Sequence, residues 1–157
     1  LTCRFFSIFG PTQRRLLIWE LYQQFTGAGS TVWLDGTGTE VRDYLEIGEV
    51  AAILFRLIDR RMQSRTESQN SKRAHRIINI ASGEEIGVLD LACELSNLIG
   101  PEKTICCRGI ERRGEPQTWR ADVTLLRSMM PSWRPKPFLL ALSECVAAWE
   151  KERCFVS

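Results

Sequence analysis

Leu34-Asp-Gly-Thr-Gly-Thr-Glu-Val-Arg-Asp-Tyr-Leu-Glu-Ile-Gly-Glu-Val-Ala51 is the stretch that decides how this chain reads. It holds a Gly-rich turn, an Arg42-Asp43 pair entering an apolar strand-like run, and the start of an amphipathic helix. Polar turn residues followed at once by Arg-Asp and then by core-facing residues put a cation on a strand at the rim of a cleft. The expected elements are a turn over Asp35–Thr39, a strand over Val41–Ile47 and a helix over Glu49–Arg60. Val50, Ile53, Leu54, Leu57 and Ile58 would form that helix's apolar stripe. Gly36-Thr37-Gly38 does not read as a dinucleotide loop, because its helix comes too late and a strand with Arg42-Asp43 intervenes; it reads as a hairpin-like turn.

Upstream, Cys3–Phe9 (Cys-Arg-Phe-Phe-Ser-Ile-Phe) reads as a strand stopped by Gly10-Pro11. Its near-continuous apolarity suits a strand covered on both faces, as in a parallel sheet. A helix over Arg14–Phe25 follows, with Leu17, Leu21 and Phe25 at helical spacing, then a short strand Thr31–Leu34 centred on Trp33. Downstream, Arg76–Ala81 reads as a buried strand, and Gly87 as the cap of a helix with Asp90 in its first turn. Val88, Leu91, Ala92, Leu95 and Ile99 give that helix an apolar face, and Gly100-Pro101 ends it. Thr104–Cys107 is a further strand and Ile110–Arg120 a polar loop. Asp122 caps a short helix through Met129, and Phe138–Lys151 forms the last helix with Leu139, Leu142, Val146 and Trp149 inward. Strands alternating with helices imply an α/β architecture.

With 157 residues, 44% of them hydrophobic and 25% charged, the chain suits one domain, or one domain plus part of another. A net charge of +2 argues against a dedicated nucleic-acid binder. No apolar run approaches the roughly 20 residues of a membrane span. Leu1-Thr2-Cys3 leads directly into a strand, so no secretory leader is expected and a cytoplasmic location is. The first residue is Leu1 rather than Met, which points to a longer parent chain with its missing part upstream. Six cysteines without a C-x-x-C spacing read as free thiols of a reducing compartment, with no metal site among them. His75, the single histidine, lies in a polar basic stretch and reads as a solvated loop residue. The surrounding Arg61–Arg76 reads as an exposed connector.

Several blocks, in order, resemble one family. Arg4-Phe5-Phe6-Ser7-Ile8-Phe9-Gly10-Pro11 resembles the R-x-F-N-x-Y-G-P segment of the extended short-chain dehydrogenase/reductases, the NAD-dependent nucleotide-sugar epimerases and dehydratases. Asp35–Ala51 resembles their G-x-G-x-x-x-R-D-[FY]-x-x-V-x-D-x-A segment, and Ile78–Gly83 their Y-N-[IV]-G-x-G strand end. Arg112-Arg113-Gly114-Glu115 with Ala121-Asp122 is similar to R-x-G-D…A-D, and Trp133-Arg134-Pro135 to the G-W-x-P before the last helix. The likeness runs from Arg4 to about Trp149. Ser7 stands where the family has asparagine and Phe9 where it has tyrosine; Pro131-Ser132 replaces Leu-Gly.

The resemblance implies that residues 1–157 are the C-terminal, substrate-binding portion of such an enzyme. The fold class would be α/β: the last strands of a Rossmann-like parallel sheet (3–9 and 76–81) plus a small α/β substrate-binding domain, with the cofactor-binding part absent. The implied ligand is a nucleotide-diphosphate sugar. Arg42 would grip its diphosphate with Arg112 in support, since guanidinium forks match phosphate oxygens. Ser7 would assist there, Glu115 would meet the ribose, and Trp33 or Leu34 would line the base pocket. Phe5 and Phe6 would lie beside the nicotinamide of NAD or NADP, which the missing part mainly binds. No catalytic Tyr-x-x-x-Lys occurs in the chain, so the catalytic residues are expected upstream of Leu1. The full-length protein is expected to be a homodimer that binds neither nucleic acid nor membrane. Two other readings are a truncated, non-catalytic nucleotide- or protein-binding module of the same fold, and a small RNA-binding α/β protein using Arg60–Arg76.

Overall fold

The computed structural model describes residues 1–67, 76–100, 102–110 and 114–156. The elements run β1 (Thr2–Phe5), β2 (Ser7–Phe9), α1 (Leu17–Thr26), β3 (Thr31–Leu34), β4 (Val41–Arg42), β5 (Tyr44–Glu46) and α2 (Ile47–Glu67), then β6 (Ile77–Ile80), β7 (Ile86–Gly87), α3 (Val88–Ile99), β8 (Thr104–Cys107), β9 (Thr118–Trp119), α4 (Thr124–Met129) and α5 (Phe138–Val156). Pairing is parallel for β1–β6, β2–β5, β3–β8 and β4–β9; β4–β7 is antiparallel. The mixed α/β class and its parallel pairs match the expectation.

One strand pair divides the interior. Successive residues of a strand face opposite sides. On β2 and β5, Phe9 and Tyr44 therefore join a core built by α1, β3, α3 and α5, while Ile8 and Leu45 join a second core built by α2, β6 and α4. Phe138 stacks on Tyr44 at 5.5 Å and meets Phe9 edge-on at 5.7 Å. Trp149 and Trp133 are buried in the first and second core respectively.

Several expected elements are redrawn. Cys3–Phe9 is not one strand: it breaks at Phe6, so β1 pairs with β6 and β2 with β5. Nor is it covered on both faces, since Phe5 is 44% exposed. Val41–Ile47 breaks at Asp43 in the same way, and Ile47 already belongs to α2. Gly36–Gly38 is not part of a hairpin, because β3 pairs with β8 and β4 with β7 and β9. The helix expected from Arg14 starts at Leu17. Leu16 sits at φ 70, ψ 169, and Arg14 donates to the Pro11 and Gln13 carbonyls. Helix α2 continues to Glu67, into the stretch expected to be a connector; residues 68–75, with His75, lie outside the described residues.

Helical geometry explains two further corrections. At about 100° per residue, Ile58 is turned past the edge of the Val50–Ile53–Leu57 stripe and is exposed. Helix α5 buries Phe138, Ala141, Leu142, Cys145, Val146 and Trp149, leaving Leu139 on the outer side, half exposed. Asp122 is one residue too early to be the formal cap of α4, yet its Oδ1 accepts the Thr124 N–H at 2.9 Å and does the capping work. Gly100 ends α3 at φ 84, donating its N–H to the Ser96 carbonyl at 2.9 Å.

The break at Asp43 has a tight cause. Its side chain is fully buried. Oδ1 accepts the Ser82 N–H at 2.8 Å and the Ser82 hydroxyl at 2.7 Å; Oδ2 accepts the Gly83 N–H at 2.9 Å and the Ala121 N–H at 3.2 Å. One carboxylate thus ties the β4–β5 junction to the end of β6 and to the approach to α4. Gly83 is required there: its φ is +79, and a Cβ would come 2.7 Å from Val123 Cγ2.

Two stability predictions follow from this interior. Asp43→Asn replaces one acceptor with a donor facing buried N–H groups, and should lower unfolding free energy by about 2–4 kcal/mol in urea titrations. An unchanged midpoint would remove Asp43 as the tie. Burial pushes the Tyr44 phenol from 10.0 up to about 12, against a smaller lowering by Arg42. The folded state therefore holds this proton more tightly than the unfolded chain. Its stabilisation is complete below about pH 10 and is lost as pH rises through about 12. Tyr22, raised to about 12 by burial and then by its hydrogen bond to Glu150, adds to that loss. Urea midpoints at pH 8 and pH 11 should show it, and Tyr44→Phe should flatten the difference.

Candidate functional site

A cavity of about 1020 Å³ lies between β2, one face of α1, the end of β3, β4 and the segment from Gly114 to Trp119. That is at the upper end of the roughly 300–1,000 Å³ of ligand pockets. Arg42 reaches it from β4. The neighbouring Asp43 points the other way, into the tie described above, as strand alternation requires.

The Arg42 side chain is only 11% exposed. Its Nη1 donates to the Val41 carbonyl at 2.9 Å and the Pro116 carbonyl at 3.0 Å, and its Nη2 to Glu115 Oε1 at 2.7 Å. These bonds take three of the five N–H donors of a guanidinium. Among the described residues, no other acceptor engages the remaining two. With the Val41 N–H donating to the Gln117 carbonyl at 2.7 Å, they also fasten the 115–117 segment to β4. Arg42 thus pairs with Glu115, 73 positions away, and not with the adjacent Asp43.

Of the residues singled out in the sequence, Arg42, Glu115, Ser7, Trp33, Leu34 and Phe6 all line this one cavity. Phe5 does not; it lies on β1, which pairs with β6, and its ring is half exposed. Arg112 lies outside the described residues; Ile110 and Gly114, to either side of 111–113, line the cavity. Leu34 is buried, whereas Trp33 is 42% exposed with Arg108 over its ring at 4.8 Å, so it is a wall residue and not core. Phe6 meets Trp119 edge-on at 6.2 Å.

The Gly-rich turn has its own occupant. Glu40, nearly buried, accepts the Thr37 N–H at 2.7 Å, the Thr37 hydroxyl at 3.0 Å and the Gly38 N–H at 2.8 Å. Burial by itself would raise this carboxyl, but the hydrogen bonds outweigh it and hold the group below the usual carboxylate range. The turn is an anion cradle already filled by a side chain. Sequence reasoning missed Glu40, and it missed Glu20 and Gln24, which reach the cavity from α1. The signal was present: Leu17, Glu20 and Gln24 repeat at helical spacing on one face. Glu40 stands two residues past Gly38, within reach of the turn's amides. With Asp35 and Glu115, the described lining residues carry four carboxylates and the Arg42 guanidinium.

No family model matches the chain, and no curated protein matches it. Solved structures do. MoeE5 in complex with UDP-glucuronic acid and NAD is similar at TM-score 0.76 and 20% identity, over 96% of this chain and 46% of that one. UDP-N-acetylglucosamine 4-epimerase from Methanobrevibacter ruminantium M1, in complex with UDP-N-acetylmuramic acid, is similar at TM-score 0.74 and 22% identity, over 96% and 46%. The NAD-dependent NDP-hexosamine 5,6-dehydratase TunA is similar at TM-score 0.73 and 19% identity, over 95% and 45%. The chain spans about half the length of the solved chains it matches. Its fold is that of the C-terminal portion of the NAD-dependent nucleotide-sugar epimerases and dehydratases.

Proposed function

We propose that this chain is the substrate-binding portion of an NAD(P)-dependent nucleotide-sugar epimerase or dehydratase, and that its cavity takes the nucleotide diphosphate. The observation that carries the reading is convergence. Arg42, Glu115, Ser7, Trp33 and Leu34 come from four separate stretches of sequence and line one cavity, in a chain with this fold. In this reading Arg42 takes a phosphate oxygen with the two donors its internal bonds leave. Glu115 accepts from ribose hydroxyls, Trp33 and Leu34 flank the base, and Ser7 donates to the diphosphate. Burial of Arg42 strengthens such a charge-assisted contact. These residues hold and orient the sugar nucleotide; proton transfer is assigned to none of them. Residues 1–157 belong wholly to this portion, with β1 and β6 as strands of the Rossmann-type sheet.

NAD, which the MoeE5 structure holds, supplies hydride transfer when bound. The described residues offer its pyrophosphate no cradle. The Gly36–Gly38 turn is filled by Glu40, and only Phe6 of the two expected nicotinamide neighbours reaches the cavity. No step in this chain runs through the cofactor.

A second reading, a truncated nucleotide- or protein-binding module of the same fold without redox chemistry, uses the same cavity. Turnover of a UDP-sugar by the full-length parent protein with NAD present supports the enzyme; binding without turnover by that parent supports the module.

Titration calorimetry of UDP-glucose against the protein tests the shared part of both. Arg42→Ala should weaken UDP-glucose about 10- to 100-fold, the loss of a charge-assisted contact of about 1.5–3 kcal/mol, with partial recovery in Arg42→Lys. Uridine, which lacks the diphosphate, should be affected little. Equal UDP-glucose affinities for Arg42→Ala and the unaltered chain would exclude the proposed grip.

A further inference from the structure

The open edge of β3 carries an unusual contact. Ser30 and Leu34 offer their carbonyls to the Thr104 and Arg108 N–H groups, so the even-numbered residues of this strand face β8. Trp33, one residue out of phase, presents its N–H and C=O on the opposite edge, where no strand lies among the described residues. Both groups are taken by a single side chain. The Trp33 N–H donates to Gln24 Oε1 at 2.7 Å, and Gln24 Nε2 donates to the Trp33 carbonyl at 3.2 Å. Gln24 and Trp33 both line the large cavity.

A carboxamide engaged in this way shows the strand an O=C–N–H edge, acceptor and donor side by side. The imide edge of a uracil or thymine ring offers the same pair in the same planar arrangement. We infer that the Gln24 carboxamide is an internal stand-in for a nucleobase, occupying the Trp33 backbone until a lactam-edged base displaces it. The inference rests on the nucleotide reading given above and names the residue that gates the base end of that site. Gln24 is free to leave without unfolding α1. The helix stays anchored by Leu21 and Phe25, which are buried, and by Lys103 Nζ, which donates to the Gln24 backbone carbonyl at 2.7 Å. The side chain itself is only half buried and swings on its own torsions. Displacement exchanges two hydrogen bonds for two of the same kind, so the base must compete with a group already in place. The site then favours a ring that matches both the donor and the acceptor over one that matches a single group.

The test compares the unaltered chain with Gln24→Met, which keeps length and stem packing but offers no donor. Gln24→Ala serves as a second variant, and thermal melts monitor folding. UDP, inorganic pyrophosphate and N3-methyl-UDP, whose donor is blocked, are the probes. We expect Gln24→Met to bind UDP about tenfold more tightly, with pyrophosphate unchanged and N3-methyl-UDP not improved. A loss of edge packing alone would not produce that base-dependent pattern. In the unaltered chain, the Gln24 side-chain amide and Trp33 backbone amide NMR signals should both shift on saturation with UDP. UDP binding that is equal or weaker in both variants, or Gln24 signals that stay in place at saturation, overturns the stand-in and leaves the nucleotide site intact. No binding of UDP or pyrophosphate to any form overturns the nucleotide reading and the stand-in with it.

Discussion

The buried carboxylate of Asp43 is the constraint on which the rest depends. Four donors from Ser82, Gly83 and Ala121 converge on it, and the buried ones, from Ser82 and Ala121, would be left unsatisfied without it. Because the side chain turns inward, the strand it belongs to cannot continue unbroken. The chain before it pairs with β7 and β9, and the chain after it pairs with β2. The two hydrophobic cores meet at this junction. Tyr44 on one face and Leu45 on the other assign the flanking elements to their sides.

The same alternation that buries Asp43 delivers Arg42 to the opposite face. A single Arg-Asp dipeptide therefore does two jobs: one charge locks the scaffold, and its neighbour is held at the cavity by that lock. Arg42 is in turn fixed by two carbonyls and Glu115, so its guanidinium plane is set before any ligand arrives. Pre-fixed donors lose little on binding, which is how a partly buried cation becomes a useful anion holder. The carboxylates around it limit where negative charge can be tolerated. Glu40 already neutralises the amides of the Gly-rich turn, and Glu20, Asp35 and Glu115 suit hydroxyl-bearing parts of a ligand better than phosphates.

Much of this was legible in the chain. Period-2 and helical repeats located the elements, and Gly and Pro positions marked their ends. Where the reading slipped, a longer-range partner had overridden a local pattern. Cys3–Phe9 is apolar enough for one buried strand, but the two halves find different neighbours and split at Phe6. Leu16 looks like the first turn of a helix, yet its backbone lies at φ 70 and the helix starts after it. Leu139 has the right spacing from Leu142 and Val146 to face inward, but α5 buries the adjoining face. Of the candidate site, Arg42, Glu115, Trp33 and Ser7 stand out in the chain by residue type and place, and the fold brings all four to one cavity. Gln24 and Glu40 do not stand out, because their spacing is visible in the chain while the groups that give it meaning, the Trp33 backbone and the amides of the glycine turn, are brought to them by folding.

Legible along the chain itself are the α/β class, the alternation of strands and helices, the Arg42 cation on a strand and the likeness to the sugar-nucleotide enzymes. Each of these is written in spacings of one to four residues, which backbone geometry converts directly into faces. Packing sets the rest: Arg42 pairs with Glu115 across the chain, Asp43 joins three segments, Glu40 fills the glycine turn, and Gln24 closes the edge at Trp33. Those contacts join positions brought together by packing or by the exact path of a turn. No periodicity along the chain encodes which donor will find which acceptor once the cores have closed.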